Sequence, residues 1–124
     1  MQVGLRRTIE LTESAIREAN YVKHISATVL TRSAFETACL LFDVIDQLEE
    51  VTNANDFTAL AKLDEYITNT LFGHGPKAKT FILLEDYVVK NILTFIQRLS
   101  KKYHMVLEGF YEGLCEHAHP NFAG

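Results

Sequence analysis

The first part of the chain places apolar and charged residues with the period of an α-helix. Apolar side chains recur at helical intervals at Leu5, Ile9, Ile16, Ala19 and Val22, and charged side chains fill the positions between them. This pattern predicts an amphipathic helix over residues 3–24, with one face on a protein core and the other in water.

The segments that follow predict two more helices. Residues 25–51 are apolar on most helical faces, which is typical of a centrally packed helix. Short polar side chains at residues 53–56 can accept hydrogen bonds from the first N–H groups of a new helix, and apolar residues from Phe57 to Leu71 continue it. Two glycines and a proline within residues 73–77 then predict the clearest break in the chain.

The last segment has an apolar residue every three or four positions from Val88 to Leu114, which predicts helix over residues 80–118. A single rod of that length would measure about 58 Å, far beyond a compact domain of this size, so we expect a bend near residues 100–104. The whole pattern predicts an all-α fold, a four- or five-helix up-and-down bundle forming one domain over residues 1–124.

Composition places the chain among ordinary globular proteins, with 48% hydrophobic and 23% charged residues. The amino terminus lacks the apolar stretch of a signal peptide, and uninterrupted apolar runs are too short to span a bilayer. Cys39 and Cys115 match no paired metal or redox spacing and are expected to be buried thiols. These features predict a cytoplasmic protein that does not insert into membranes.

Charge is distributed unevenly along the chain. Residues 36–65 hold eight carboxylates against one lysine, whereas residues 77–102 hold six basic residues against two acidic ones. The net charge of −4 argues against indiscriminate nucleic-acid binding. A local basic run is nonetheless a candidate ligand-binding patch for a phosphate backbone, unless it is a solvated helix face; its members are Arg98, Lys101, Lys102, Tyr103 and His104.

Polar residues on apolar helices are the other candidates for a site. Arg32 and Glu36, four residues apart, would be either a buried pair that orients a functional group or part of a solvated edge that continues to Asp43 and Glu50. Gly109 and Gly113 weaken the last helix, so we expect another backbone to approach them closely.

Near the carboxyl end, Cys115 and His119 lie on one helical face, but zinc needs more ligands than this pair supplies. The end of the helix also offers His117, together with His119 and Asn121 beside Pro120, as either reactive groups or capping groups. We predict neither a metal site nor a cofactor site.

Residues 32–36 (Arg-Ser-Ala-Phe-Glu), 90–94 (Lys-Asn-Ile-Leu-Thr) and 111–121, which end in His-Pro-Asn, resemble a family of uncharacterised, mostly bacterial helical proteins. That family is in turn distantly similar to HEPN domains. Its members continue beyond His-Pro-Asn, so this chain, ending at Gly124, is expected to be a short or trimmed member.

The resemblance implies a dimerising helical bundle and, in some relatives, metal-independent ribonuclease activity through an Arg and a His four to six residues apart. Arg98 and His104 have that spacing, whereas no Arg precedes His119 at that distance. A site assembled across helices would instead use a set in which Arg32 stabilises an anionic phosphate and a His acts as general base; its candidate members are Arg32, Glu36, His117 and His119.

Three functional interpretations follow from these features. The first is a homodimeric binding module of a bacterial defence or stress system, with RNA or a nucleotide-containing molecule as ligand and Asn121 and the basic run as further contacts. The second is a metal-independent endoribonuclease. The third is a purely structural domain, in which the polar residues are internal hydrogen-bonding and capping groups.

Overall fold

The computed structural model describes residues 2–54, 59–64, 67 and 91–118. Four helices are bounded in these ranges: α1 (Gln2–Asn20), α2 (His24–Ala54), α3 (Ile92–Tyr103) and α4 (Leu107–Ala118). Residues 59–64 are also helical, inside the segment where the third helix is predicted. The described residues contain no β-strand, so the predicted all-α helical bundle is confirmed. The predicted break at 73–77 lies outside the described residues.

A tight turn separates α1 from α2 close to the predicted boundary. Val22 adopts a left-handed backbone with φ of 59°. Its N–H donates to the Ala19 carbonyl at 2.9 Å, and the N–H of Lys23 donates to the Glu18 carbonyl at 3.0 Å. These bonds satisfy carbonyl groups that the end of a helix leaves without partners, so α1 can stop without a glycine.

The last segment is divided at two points. Asn91 is extended, and its side chain accepts a hydrogen bond from the N–H of Leu93 at 3.1 Å, which caps α3 at its start. The predicted helix is therefore not continuous across residue 91. The predicted bend near residues 100–104 is confirmed, because His104 is left-handed with φ of 53° and its N–H bonds the Ser100 carbonyl.

Helix α2 is central, since α1, α3 and α4 each pack on it. Helix α1 runs antiparallel to α2, and Gly4 allows a close approach: a Cβ there would lie 2.6 Å from Leu41 Cδ2. Helix α3 runs parallel to α2, because Arg98 meets Asp43 while the later Lys102 meets the later Asp46. Helix α4 then returns antiparallel, in agreement with an up-and-down arrangement.

The core between α2, α3 and α4 is small and well covered. Its buried members are Cys39, Ile96, Leu99 and Tyr111. Further apolar side chains pack around them, namely those of Phe35, Ile92, Leu107 and Cys115. The rings of Phe35 and Phe110 meet edge to face with centroids 5.2 Å apart, an arrangement that aromatic quadrupoles favour. This core holds α4 against the first half of α2.

By length and composition alone, α2 could also cross a membrane. The core helix of a soluble protein passes the same test, so the result is weak evidence. The carboxylates of Asp43 and Asp46 on this helix pair with side chains from α3. Placement in the cytoplasm stays a prediction.

Candidate binding groove between α2 and α4

Arg32, Glu36 and Tyr111 form a compact polar cluster that joins α2 to α4. Arg32 Nε lies 2.9 Å from Glu36 Oε1, one helical turn away. The Tyr111 hydroxyl donates to the same carboxylate oxygen at 2.7 Å and accepts from Arg32 Nη2 at 3.3 Å. The Arg32 guanidinium also lies 5.5 Å from the centre of the Tyr111 ring, within cation–π range. The three side chains therefore hold one another in place.

The environment of the cluster changes the acidity of its members. Burial, followed by the hydrogen bond to Glu36, raises the pKa of Tyr111 to about 12, because both favour the protonated hydroxyl. The hydrogen bond to Glu36 raises the pKa of Arg32 further above its ordinary value. At neutral pH the Tyr111 phenol therefore keeps its proton and Arg32 its charge.

The cluster is only partly covered. The side chains of Arg32 and Glu36 are 40% and 29% exposed, whereas Tyr111 is buried. Arg32 uses Nε and Nη2 for its contacts, and within the described part of the chain Nη1 makes no hydrogen bond. Of the two interpretations left open for Arg32 and Glu36, the structure supports a half-buried pair that is tied to another helix. Tyr111 completes it and was not among the predicted site residues.

An open groove lies beside this cluster. It runs between α2 and α4 and is lined by Thr28, Gly109, Phe110, Gly113, Leu114 and His117. Thr28 is one helical turn before Arg32, and Phe110 precedes Tyr111. The Phe110 side chain is 54% exposed, so it presents an aromatic surface to the groove. Phe110 therefore lines the groove itself, whereas Arg32 lies one helical turn along α2 from its lining residue Thr28.

The two glycines of α4 contribute open space. A Cβ at Gly113 would meet no atom of the described residues within 4 Å, and one at Gly109 would make ordinary contact with Val106 at 3.6 Å. The prediction that another backbone approaches these glycines closely is therefore wrong for the described chain. Because glycine has no side chain, the groove stays open at these two positions.

His117 lies at the end of the groove in the last turn of α4. Its Nδ1 is 2.7 Å from the Gly113 carbonyl oxygen, so in this bond Nδ1 carries the proton and the carbonyl accepts. The contact is the capping interaction considered for the histidines at this end of the chain. The structure thus places His117 in the lining of the groove and brings Arg32 and Glu36 together in the neighbouring cluster, while His119 and Asn121 lie outside the described residues.

The predicted basic patch belongs to a different part of the molecule, on α3. Arg98 Nη1 donates to Asp43 Oδ1 at 2.6 Å, and the Tyr103 hydroxyl donates to Asp46 Oδ1 at 2.6 Å. Lys102 Nζ lies 3.1 Å from Asp46 Oδ2, and this contact raises the pKa of Lys102. Lys101 is exposed, and His104 forms the left-handed C-cap of α3.

The acidic partners on α2 are more buried than the sequence pattern predicted. Asp43 has no exposed surface and Asp46 is 3% exposed. Of the two interpretations left open, the solvated edge does not extend to Asp43, because α3 packs on this face of α2. Three members of the basic run are used in these contacts between helices, which leaves Lys101 and His104 without a part in them.

Both cysteines are free thiols; Cys39 is buried and Cys115 partly buried. Burial raises the pKa of Cys39 to about 11. Among the described residues, no group of three or more His, Cys, Asp or Glu side chains could hold a metal ion.

Comparisons of the chain with protein-family models, curated proteins and solved structures find no significant match. The HEPN-like relationship therefore stays a prediction based on the three sequence motifs.

Proposed function

We propose that the protein is a binding module and that the groove between α2 and α4 takes a nucleotide-containing ligand. The observation that carries this proposal is the part-exposed Arg32 guanidinium, which is fixed by Glu36 and Tyr111 one helical turn from Thr28, a residue that lines a groove with an exposed aromatic ring. A cation and an aromatic surface side by side suit a molecule with a phosphate and a flat base.

The cluster favours binding because Arg32 is already in place before a ligand arrives. Glu36 Oε1 and the Tyr111 hydroxyl fix the Nε and Nη2 side of the guanidinium. Fixing a long side chain in advance lowers the entropy cost of binding. The Nη1 side is then available for one phosphate oxygen, while a base can stack on Phe110, which is 54% exposed.

Binding can be measured by fluorescence anisotropy with a labelled single-stranded RNA oligonucleotide, and in competition with nucleoside monophosphates. Arg32→Gln removes the guanidinium, and Gly113→Leu fills the groove without touching the cluster. We expect Arg32→Gln to weaken binding by on the order of tenfold or more, the usual loss for one charged hydrogen bond, and Gly113→Leu to weaken it by occupying the space of the ligand. Arg7→Gln, an exposed residue of α1, is the control with the same change of charge.

Circular dichroism melting of each variant shows whether the fold survives. Wild-type binding in both Arg32→Gln and Gly113→Leu would contradict the proposal. Loss in Gly113→Leu alone would place the ligand in the groove but remove the role of Arg32.

A metal-independent ribonuclease is the second candidate, supported by His117 in the lining of the same groove. In that reaction His117 would take the proton of a ribose 2′-hydroxyl and Arg32 would stabilise the charge that develops on the phosphate. Cleavage of RNA in the presence of a chelator, lost in both Arg32→Gln and His117→Ala, would support the enzyme. Binding without cleavage would support the module alone.

The wider context is part of the same proposal. A HEPN-like protein of a bacterial defence or stress system, working in the cytoplasm, is what the sequence resemblance supports. Co-purification of RNA with the tagged protein from bacterial cells, reduced by Arg32→Gln, would test it.

A further inference from the structure

Helix α1 carries an apolar stripe that α2 leaves uncovered. Among the four helices with described bounds, α1 contacts α2 alone, and the face toward α2 includes Gly4 and the buried Ala15. On another face, Leu5, Ile9 and Ile16 are 58%, 50% and 58% exposed. A row of half-exposed large aliphatic side chains on one helix is typical of a surface that another helix covers.

The spacing of this stripe is that of a coiled-coil seam. Exposed residues alternate by three and four positions, with Gln2, Ile9 and Ile16 at one heptad position and Leu5, Thr12 and Ala19 at the other. Thr12 fits an apolar seam because its hydroxyl donates to the Thr8 carbonyl at 2.8 Å. Its remaining outward surface can be buried without leaving a polar group unsatisfied.

A groove beside the second half of the stripe complements the first half. It lies between α1 and α2, encloses about 210 Å³, and is lined mainly by small side chains, namely Thr12, Ala15, Ile16, Ala19, Ala27, Thr31 and Ala34. The Thr31 hydroxyl is also satisfied, by the Ala27 carbonyl at 2.8 Å. A cavity of about 150 Å³ already accommodates a benzene-sized group, so this groove has room for a leucine or isoleucine side chain.

We propose that a second copy of this chain covers the stripe, with the two α1 helices antiparallel about a twofold axis. Antiparallel alignment pairs Leu5 with the partner's Ile16 and Ile9 with the partner's Thr12. Each Leu5 and Ile9 then lies over the small-residue groove of the other copy. A twofold interface must be complementary to itself, and this arrangement meets that condition because protrusion and groove occupy opposite halves of one helix.

Charges next to the seam fit the same alignment. Arg6 and Glu13 occupy the heptad position that flanks one side of the stripe, and in the antiparallel dimer Arg6 of each copy approaches the partner's Glu13. The Arg6 side chain is 82% exposed and contacts Glu10 of its own helix at 2.8 Å, so it is within reach of both acids. The register thus places opposite charges together at two symmetric positions.

Sedimentation equilibrium over a range of protein concentrations tests the proposal. We expect a monomer–dimer equilibrium that Ile9→Asp shifts to monomer. Arg6→Glu and Glu13→Arg should each raise the dissociation constant by on the order of tenfold, because the twofold axis repeats each repulsion. The double variant Arg6→Glu/Glu13→Arg should restore the wild-type dissociation constant. Arg7→Glu, on the opposite side of α1, should leave that constant unchanged.

A monomer at every concentration would overturn the proposal, and so would a dimer that Ile9→Asp leaves intact. Failure of the double swap to restore dimerisation would overturn the antiparallel register. The inference does not depend on the groove between α2 and α4, because its readout is oligomeric state and not ligand binding.

Discussion

Replacing Arg98 by methionine removes the cation that faces a fully buried carboxylate. Asp43 has no exposed surface, and its Oδ1 accepts from Arg98 Nη1 at 2.6 Å. Methionine keeps a flexible unbranched side chain and a similar helix propensity, so the main change is the loss of the guanidinium. Asp43 would then stay buried and lose this charged contact from α3.

The expected cost follows from burial. Removing one member of a buried ion pair typically costs about 3–5 kcal/mol, since the other charge is left in a poorly solvated place. The Arg98 side chain is 36% exposed, so water moderates the effect. We expect Arg98→Met to lower the free energy of unfolding by about 2–4 kcal/mol.

Two neighbouring lysines provide matched controls on the same helix. Lys102→Met should cost less than Arg98→Met, because the Tyr103 hydroxyl still donates to Asp46 at 2.6 Å. Lys101 is exposed and forms no ion pair with any described residue, so Lys101→Met should leave stability unchanged within error.

Urea unfolding followed by far-ultraviolet circular dichroism measures all three variants, with the slope m showing whether they unfold as the wild type does. An equal, small loss in Arg98→Met and Lys101→Met would refute the reasoning. The α3 basic run would then be a solvated patch free to bind a ligand.

Three further predictions concern other parts of the chain. The pKa of Tyr111 is raised from 10.0 to about 12, so the folded state holds this proton more tightly than the unfolded state does. The stability advantage of wild type over Tyr111→Phe should therefore shrink as pH rises from about 10 through about 12. A difference in urea midpoint that stays constant over this range would contradict the prediction. Gly113→Ala should raise stability by about 0.5–1 kcal/mol in thermal unfolding, whereas Gly4→Ala, which meets a side chain of α2 at 2.6 Å, should gain less or lose stability. Cys39, 4% exposed and with a pKa of about 11, should be alkylated more slowly than Cys115 in the native protein, and equal labelling by mass spectrometry would count against its burial.

The candidate site was only partly predictable from sequence. Arg32 and Glu36 stand out because charged residues are costly on an apolar helix. The sequence does not distinguish a buried pair from a solvated edge, whereas the contact with Tyr111 does. The usable signal was a tyrosine at a core position of α4, since a buried phenol needs a hydrogen-bond partner. Its partners are 75 or more residues away in sequence, so periodicity could not identify them.

The glycines of α4 show a second limit of sequence reasoning. A glycine inside a helix has either a close neighbour or open space beside it, and the helical pattern is the same in both cases. Gly4, in contrast, does allow a close approach, to Leu41. Only the position of α1 against α2 distinguishes the two situations.

By itself the sequence determined the all-α class, a boundary between the first two helices close to residues 24–25 and the bend near residue 104, because helix period and chain breaks are local properties. It also showed an acidic middle and a basic stretch after it. Tertiary structure decided what these charges do: α3 lies parallel to α2, which brings Arg98 to Asp43 and Lys102 to Asp46. A side chain's role depends on what covers it, and that is set by how helices pack and in which register.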